Sequence, residues 1–168
     1  DIKPKNLTDA EKKEVFANTK GWVREAGSIL SGNGNTSADP EVLVAIGGLS
    51  ANMGSANITE LEFITTAFDK SDGGTLQVRA RFNEPVTVTG TPQLTVVNDS
   101  RANHTLSYAS GSTTNELVFS LTIAAANSAT NAGDELSLGA NAISLNGGTI
   151  KDTGQSGTNA TITNSAGI

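Results

Sequence analysis

From Leu76 to Phe82 the chain alternates, with Leu76, Val78, Ala80 and Phe82 apolar and Gln77, Arg79 and Arg81 polar. A period of two belongs to a strand with one face in a core, because successive side chains leave a strand on opposite faces. The same period runs through Leu117, Phe119, Leu121 and Ile123. Shorter runs of β-type composition, NITELEFITT, PQLTVV, HTLSYAS, DELSL, NAISL and NATIT, predict further strands. Between them lie DKSDGG, NDSRAN, SGSTTN, NSATNAGD, LNGG and DTGQSG, rich in residues that tolerate turns and left-handed backbone. Strands and turns alternating at about ten-residue spacing predict a β-sandwich over 56–168.

Two breaks are expected inside FNEPVTVTGTPQLTV. Pro85 has no N–H for a ladder, so it should end or kink the strand that finishes near Phe82 and stand at an edge or bend. Gly90-Thr91-Pro92 makes the second break, and QLTVV begins a new strand. Between the two, the chain would leave one sheet and enter the other.

Residues 1–55 read differently, as a small α/β or extended segment. Thr8-Asp9-Ala10-Glu11 fits a capping box that opens a helix through about Asn18. A turn follows at Lys20-Gly21, SGNGNTSADP is a linker, and EVLVAI (41–46) reads as a buried strand. GGLSANMGSAN connects this part to the first strand of the sandwich. The fold class is therefore mainly β, divided at 1–55 and 56–168.

Charge and composition narrow the partners. The net charge of −6 divides as six bases against seven acids in 1–55 and five against ten in 56–168. Phosphate recognition needs a basic surface, so nucleic acid is excluded as an expected partner. No apolar run approaches the roughly 18–20 residues of a membrane span, so no membrane insertion is expected. The chain has no cysteine, which removes disulfides and thiolate metal sites.

The candidate chemistry is thin. His104 is the only histidine, and no G-x-S-x-G elbow accompanies it, so it reads as a solvated strand residue. One histidine also cannot furnish a nitrogen and sulfur metal site. Asp69, Asp72, Asp99, Asp134, Glu135 and Asp152 lie in predicted turns, where oxygen ligands could serve calcium. Without an EF-hand spacing, solvated acidic turns are the plainer reading. GNGN and GGLSANMG match no phosphate-cradling motif. No catalytic residue and no cofactor is assigned. Trp22, the sole tryptophan, stands with Val23 and Arg24 among few other large apolar residues, and the three are the candidate partner-binding residues. The alternative packs Trp22 beneath Val42, Val44 and Ile46.

GGTLQVRARFNEPVTVTGTPQLTV, followed by LSYASGSTTNELVFSLTI and LSLGANAISLNGGTIKDTGQSGTNATIT, resembles the immunoglobulin-like repeats found in tandem in large bacterial surface proteins and adhesins. The resemblance implies an immunoglobulin-like β-sandwich. Residues 1–55 do not look like another copy of that repeat. TKGWVREAGS with PEVLVAIGGLS is similar to virion structural proteins of marine short-tailed phages. Together these imply a non-enzymatic capsid decoration (cement) protein on the virion surface, whose first 55 residues bind the shell while the sandwich projects. Its expected partners are the major capsid protein or other virion proteins, further copies of itself, and weak contacts to cell-surface glycans. A module of an adhesin on the bacterial cell surface is the second reading, and a carbohydrate-binding or hydrolytic domain the third. In a projecting sandwich the strand edges must be blunted, and Lys70, Arg79, Arg81 and Pro85 are the expected devices.

Overall fold

Thr8 caps the first helix as its sequence predicts. Its hydroxyl accepts the Glu11 N–H at 3.2 Å, and the Glu11 carboxylate accepts the Thr8 N–H at 2.8 Å. The helix, α1, is short, however: it spans Asp9–Lys13. In the computed structural model, which describes residues 3–28, 30, 34–125, 130–155 and 157–166, the chain then turns into strand β1, Val15–Asn18. The expected helix through Asn18 is thus corrected. Val15, Phe16 and Ala17 are buried in succession, and a strand between two packed layers buries consecutive residues where a short helix would expose every second or third.

β1 pairs antiparallel with β2, Gly21–Arg24, across the predicted turn, and β2 pairs with β3, Glu41–Ala45. Val15, Ala17 and Trp22 form a small core with Leu7, Leu43, Leu49 and Met53, the last two brought by a one-turn helix α2, Leu49–Asn52. β3 is a strand as expected, but not a buried one. Val42, Val44 and Ile46 are 43%, 40% and 42% exposed. The β2–β3 register slips between Trp22 and Val23, pairing Trp22 with Val44 and Val23 with Val42. Leu43 is left to turn toward the small core.

Eight further strands follow: β4 Ile58–Phe63, β5 Gly74–Thr89, β6 Gln93–Asn98, β7 His104–Ser110, β8 Thr114–Ile123, β9 Leu136–Ser137, β10 Ile143–Ser144 and β11 Thr149–Asp152. They hydrogen-bond in the order β10-β6-β7-β8-β5-β11, with β4 also on β5 and β9 on β6. All pairings between named strands are antiparallel, and the described chain is mainly β. DELSL and NAISL shrink to two-residue strands, NATIT contributes only isolated bridges, and TIKD forms a strand that the alternation did not single out. Positions 31–33, 127–129 and 156 of the expected linker and turns lie outside the described residues.

β5 does not end at Phe82. It runs unbroken through Pro85 to Thr89, first paired with β4 and β8 and then with β11. Pro85 falls where the register with β8 slips between Arg81 and Val86, so its missing N–H coincides with a bulge instead of a chain break. The inward phase survives: Leu76, Val78, Ala80, Phe82, Glu84 and Val86 are all buried. At Gly90-Thr91-Pro92 the break occurs as expected.

Phe82, Leu94, Leu106, Leu117, Phe119 and Ile150, each at most 2% exposed, fill the larger core. Tyr108 sets its ring edge-on to Phe119 at 6.2 Å and 76°, a geometry in which the positive ring edge meets the negative face. Its hydroxyl accepts the Ser112 N–H at 2.8 Å and so closes the turn between β7 and β8. That turn requires Gly111: its φ is +106°, and a Cβ there would lie 1.9 Å from the Glu116 carbonyl oxygen.

Candidate functional site

The N-terminal sheet sits on the outer face of β5, and charged side chains form its seat. Arg79 and Arg81 leave β5 on the face opposite the core. On a bare sheet they would be solvated, yet the Arg81 side chain is only 9% exposed. Its Nε donates to Glu116 at 2.7 Å, and Nη1 donates to Glu60 at 2.8 Å and to Glu62 at 2.9 Å. Glu25, from the segment after β2, lies 3.6 Å from Nε. Glu25 also accepts from Asn115 Nδ2 at 2.9 Å, and Lys13 pairs with Glu60. Glu25 and Lys13 of 1–55 therefore close an ion cluster whose other members stand on β4, β5 and β8, and the Lys3 ammonium lies near enough to feel Glu25, Glu60 and Arg81. An open groove of about 480 Å³ runs along the seam, lined by Phe16, Glu25, Pro40, Pro85 and Asn115 among others.

This corrects the edge-blunting expectation. Arg79 and Arg81 stand on a strand flanked on both sides by β4 and β8, and Pro85 lies farther along the same strand. Lys70 belongs to the turn before β5 and not to an edge strand.

Burial decides the titration of the cluster. Glu25 is pushed up to about 7, first by burial and then by the charge of Glu116, which outweigh the help of Asn115 and Arg81. Burial also opposes ionisation of Glu60, but Lys13 and Arg81 together hold it below the usual carboxylate range. Arg81 is held more firmly protonated than an ordinary arginine, because Glu60, Glu116 and Glu25 outweigh its burial.

Trp22 and Val23 are 6% and 0% exposed, so their side chains lie inside the chain itself. Trp22 packs in the small core with Val15, Ala17, Leu43, Leu49 and Met53, and its cross-strand partner on β3 is Val44, which stays 40% exposed. Arg24 pairs with Glu11 at 3.4 Å and Glu41 at 3.7 Å. The apolar surface that the N-terminal part does present is β3, one of the two edge strands of its sheet, together with Ile46 and Leu30. Of the exposed large apolar residues described, Leu30, Val42, Val44 and Ile46 belong to this part, and only Ile64 and Leu145 to the remainder.

His104 is buried at 5% exposure, with Nε2 3.5 Å from Asn98 Nδ2, so it is not the solvated residue expected. Most of the acidic turns use their oxygens locally. Asp134 accepts from Asn98, Ser100 and Asn131 and is drawn down to about 2 by the Asn98 and Ser100 hydrogen bonds, while Asp69 accepts from Ser71 and Asp99 from the Glu135 N–H. Asp152 departs from the expectation: it ends strand β11 and is buried at 1% exposure. Among the described residues no three His, Cys, Asp or Glu side chains gather to hold a metal, and no helix is long and apolar enough to cross a membrane.

No protein-family model, curated protein or solved structure matches this chain. Its functional reading therefore rests on this geometry and on the residues themselves. The ion cluster left a signal in the sequence, since Glu60-x-Glu62 and Arg79-x-Arg81 offer complementary charges to neighbouring strands. Without the pairing register that signal could not be assigned.

Proposed function

We propose that this chain is a non-enzymatic structural protein of a phage particle, a capsid decoration protein. Residues 1–55 bind the shell, and 56–168, read as an immunoglobulin-like sandwich, projects from it. The observation that supports the reading is the apolar stripe of Val42 and Val44 on β3, an edge strand of the N-terminal sheet, continued by Ile46 just past its end. An outermost strand offers backbone donors and acceptors to a neighbouring strand, and an exposed apolar row beside them adds burial. Covering the exposed part of three such side chains is worth about 2–3 kcal/mol in total. That is weak for one contact, but it is multiplied where many copies sit on one particle. The ion cluster beneath holds the sheet to the projecting part, so a contact at β3 fixes the direction of the whole chain.

Co-sedimentation of the full chain with phage capsids from a lysate of the source organism tests this. The wild type should pellet with the capsids, and a folded Val42→Lys/Val44→Lys variant should remain in the supernatant. If the wild type stays in the supernatant, the decoration reading fails and the bacterial adhesin reading takes its place. If both chains pellet, β3 is not the contact.

A further inference from the structure

Glu84 is the one acid on the inward row of β5, between Phe82 and Val86, and it is wholly buried. Neither of its carboxylate oxygens has a hydrogen-bond partner. An ionised carboxylate in that position is costly unless something of opposite charge meets it. Its charged neighbour makes matters worse. Asp152 stands directly across from Val86 on β11 and so shares the inward face, one diagonal step from Glu84, about 7 Å between such positions. Asp152 is itself 1% exposed. Among the described residues no basic side chain offsets the charge of Glu84. Burial and then Asp152 push its carboxyl up to about 7.

Asp152 is held in place by backbone and not by a counter-charge. Ala56 N–H donates to its Oδ2 at 2.9 Å and Gln155 N–H to its Oδ1 at 2.8 Å. Each bond uses one lone pair of an oxygen that has two, so both oxygens can still serve a ligand. A third oxygen source lies against Gly154, two residues along the chain from Asp152. α2 crosses over Gly154 so closely that a Cβ there would meet the Ser50 carbonyl oxygen at 3.0 Å and its hydroxyl at 3.2 Å. Ser50 is 3% exposed.

We propose that Glu84 and Asp152 form an inner binding site for a hard divalent cation of the calcium class, set where β5, β11 and the chain entering β4 meet. Four carboxylate oxygens from two strands supply two negative charges, and the donor set contains neither sulfur nor imidazole. That set favours calcium over zinc or copper. With two carboxylates in place of the three or more acids of a fully protein-built cage, the ion completes its shell from carbonyl oxygens, the Ser50 hydroxyl and water. The site joins the C-terminal end of β11 to the junction at Ala56, so a bound ion would fasten the last strand to the start of the larger core. It is independent of shell binding by β3.

The test adds calcium chloride to chelator-stripped full-length protein at pH 8, counting bound ion by equilibrium dialysis and following thermal unfolding. We expect one ion per chain and a rise in Tm of about 5 °C or more at calcium a hundredfold above its Kd. In Glu84→Gln the rise should vanish, while Tm in chelator equals or exceeds that of the wild type because one unpaired buried charge is gone. A readout that needs no substitution is the amide NMR spectrum of the wild type. Calcium should shift the Ala56 and Gln155 N–H resonances, which report on Asp152, more than those of 69–72 and 131–134. A Tm indifferent to calcium, a rise that survives in Glu84→Gln, or shifts confined to the acidic turns would each overturn the proposal.

Discussion

Replacing Arg81 with methionine removes the centre of the ion cluster while keeping much of its apolar stem. The consequence follows from who is left behind. Glu60, 9% exposed, keeps Lys13, and Glu116 keeps Arg79 at 3.6 Å. Glu25, 15% exposed, keeps the Asn115 amide and the nearby charge of Lys3. Taking one partner from a buried pair costs about 3–5 kcal/mol, because the other charge stays buried. The remaining cations place this case at the lower end, about 3 kcal/mol. For a chain of this size that corresponds to a fall in Tm of about 6–12 °C.

Urea unfolding at pH 8 measures the loss, with an unchanged m-value as the check that only stability has moved. Adding Glu25→Gln to Arg81→Met should return at least about 1 kcal/mol, since it removes the charge that was orphaned. The penalty should also shrink as pH falls. Arg81 draws Glu25 and Glu60 downward, so without it the folded variant takes up protons at higher pH than the wild type and is relieved sooner. A loss below about 1 kcal/mol, the range of solvated surface pairs, would refute the claim that this cluster seats the N-terminal sheet.

Three further outcomes are expected. Glu25 has a folded-state pKa of about 7, raised above the unfolded value near 4.5. The folded state therefore binds more protons in that window, and chain stability should rise as pH falls from 8 toward 5. Glu25→Gln should be more stable than the wild type at pH 8, by on the order of 2 kcal/mol, with the gap closing as pH falls and gone by about pH 4, as read by urea midpoints across pH. Gly111→Ala should cost at least about 2 kcal/mol in the same assay, combining a left-handed φ with a clash on the Glu116 carbonyl. Tyr108→Phe should cost about 1 kcal/mol through the lost Ser112 hydrogen bond, with the ring contact to Phe119 preserved in the near-UV spectrum.

Where one face of a strand is buried, the sequence was a good guide. The alternations at Leu76–Phe82 and Leu117–Ile123 became the paired halves of β5 and β8, and HTLSYAS became β7 residue for residue. Where tertiary packing decides, it was not. The capping box fixed where α1 begins, but nothing local fixed its end, because β1 is a strand only by virtue of β2 beside it. EVLVAI looks buried from composition, and whether a strand is central or outermost depends on partners far along the chain. Asp152 and His104 read as solvated from the sequence because polar residues usually are. Their burial follows from a ladder register that no local window contains. Glu84 had the clearest unused signal, since an acid on the same parity as Leu76, Val78, Ala80 and Phe82 points into a core once the strand continues past it. The expectation that Pro85 stops the strand hid it.

That continuation explains why FNEPV is the hub of this chain. By running through Pro85 instead of stopping, β5 gives one segment two sets of neighbours. Its outward residues before the bulge, Arg79 and Arg81, meet β4, β8 and the N-terminal seat. Its inward residue at the bulge, Glu84, stands one diagonal step from Asp152 at the end of β11. A strand that ended at Phe82 would supply the first set without the second, leaving Asp152 without Glu84 and β11 without a ladder. The proline thus acts by placing its missing donor at the point of partner exchange. A substitution that restores an N–H there would leave a donor with no strand to receive it, while the bulge itself would remain, since it is fixed by the register of Arg81 on one side and Val86 on the other.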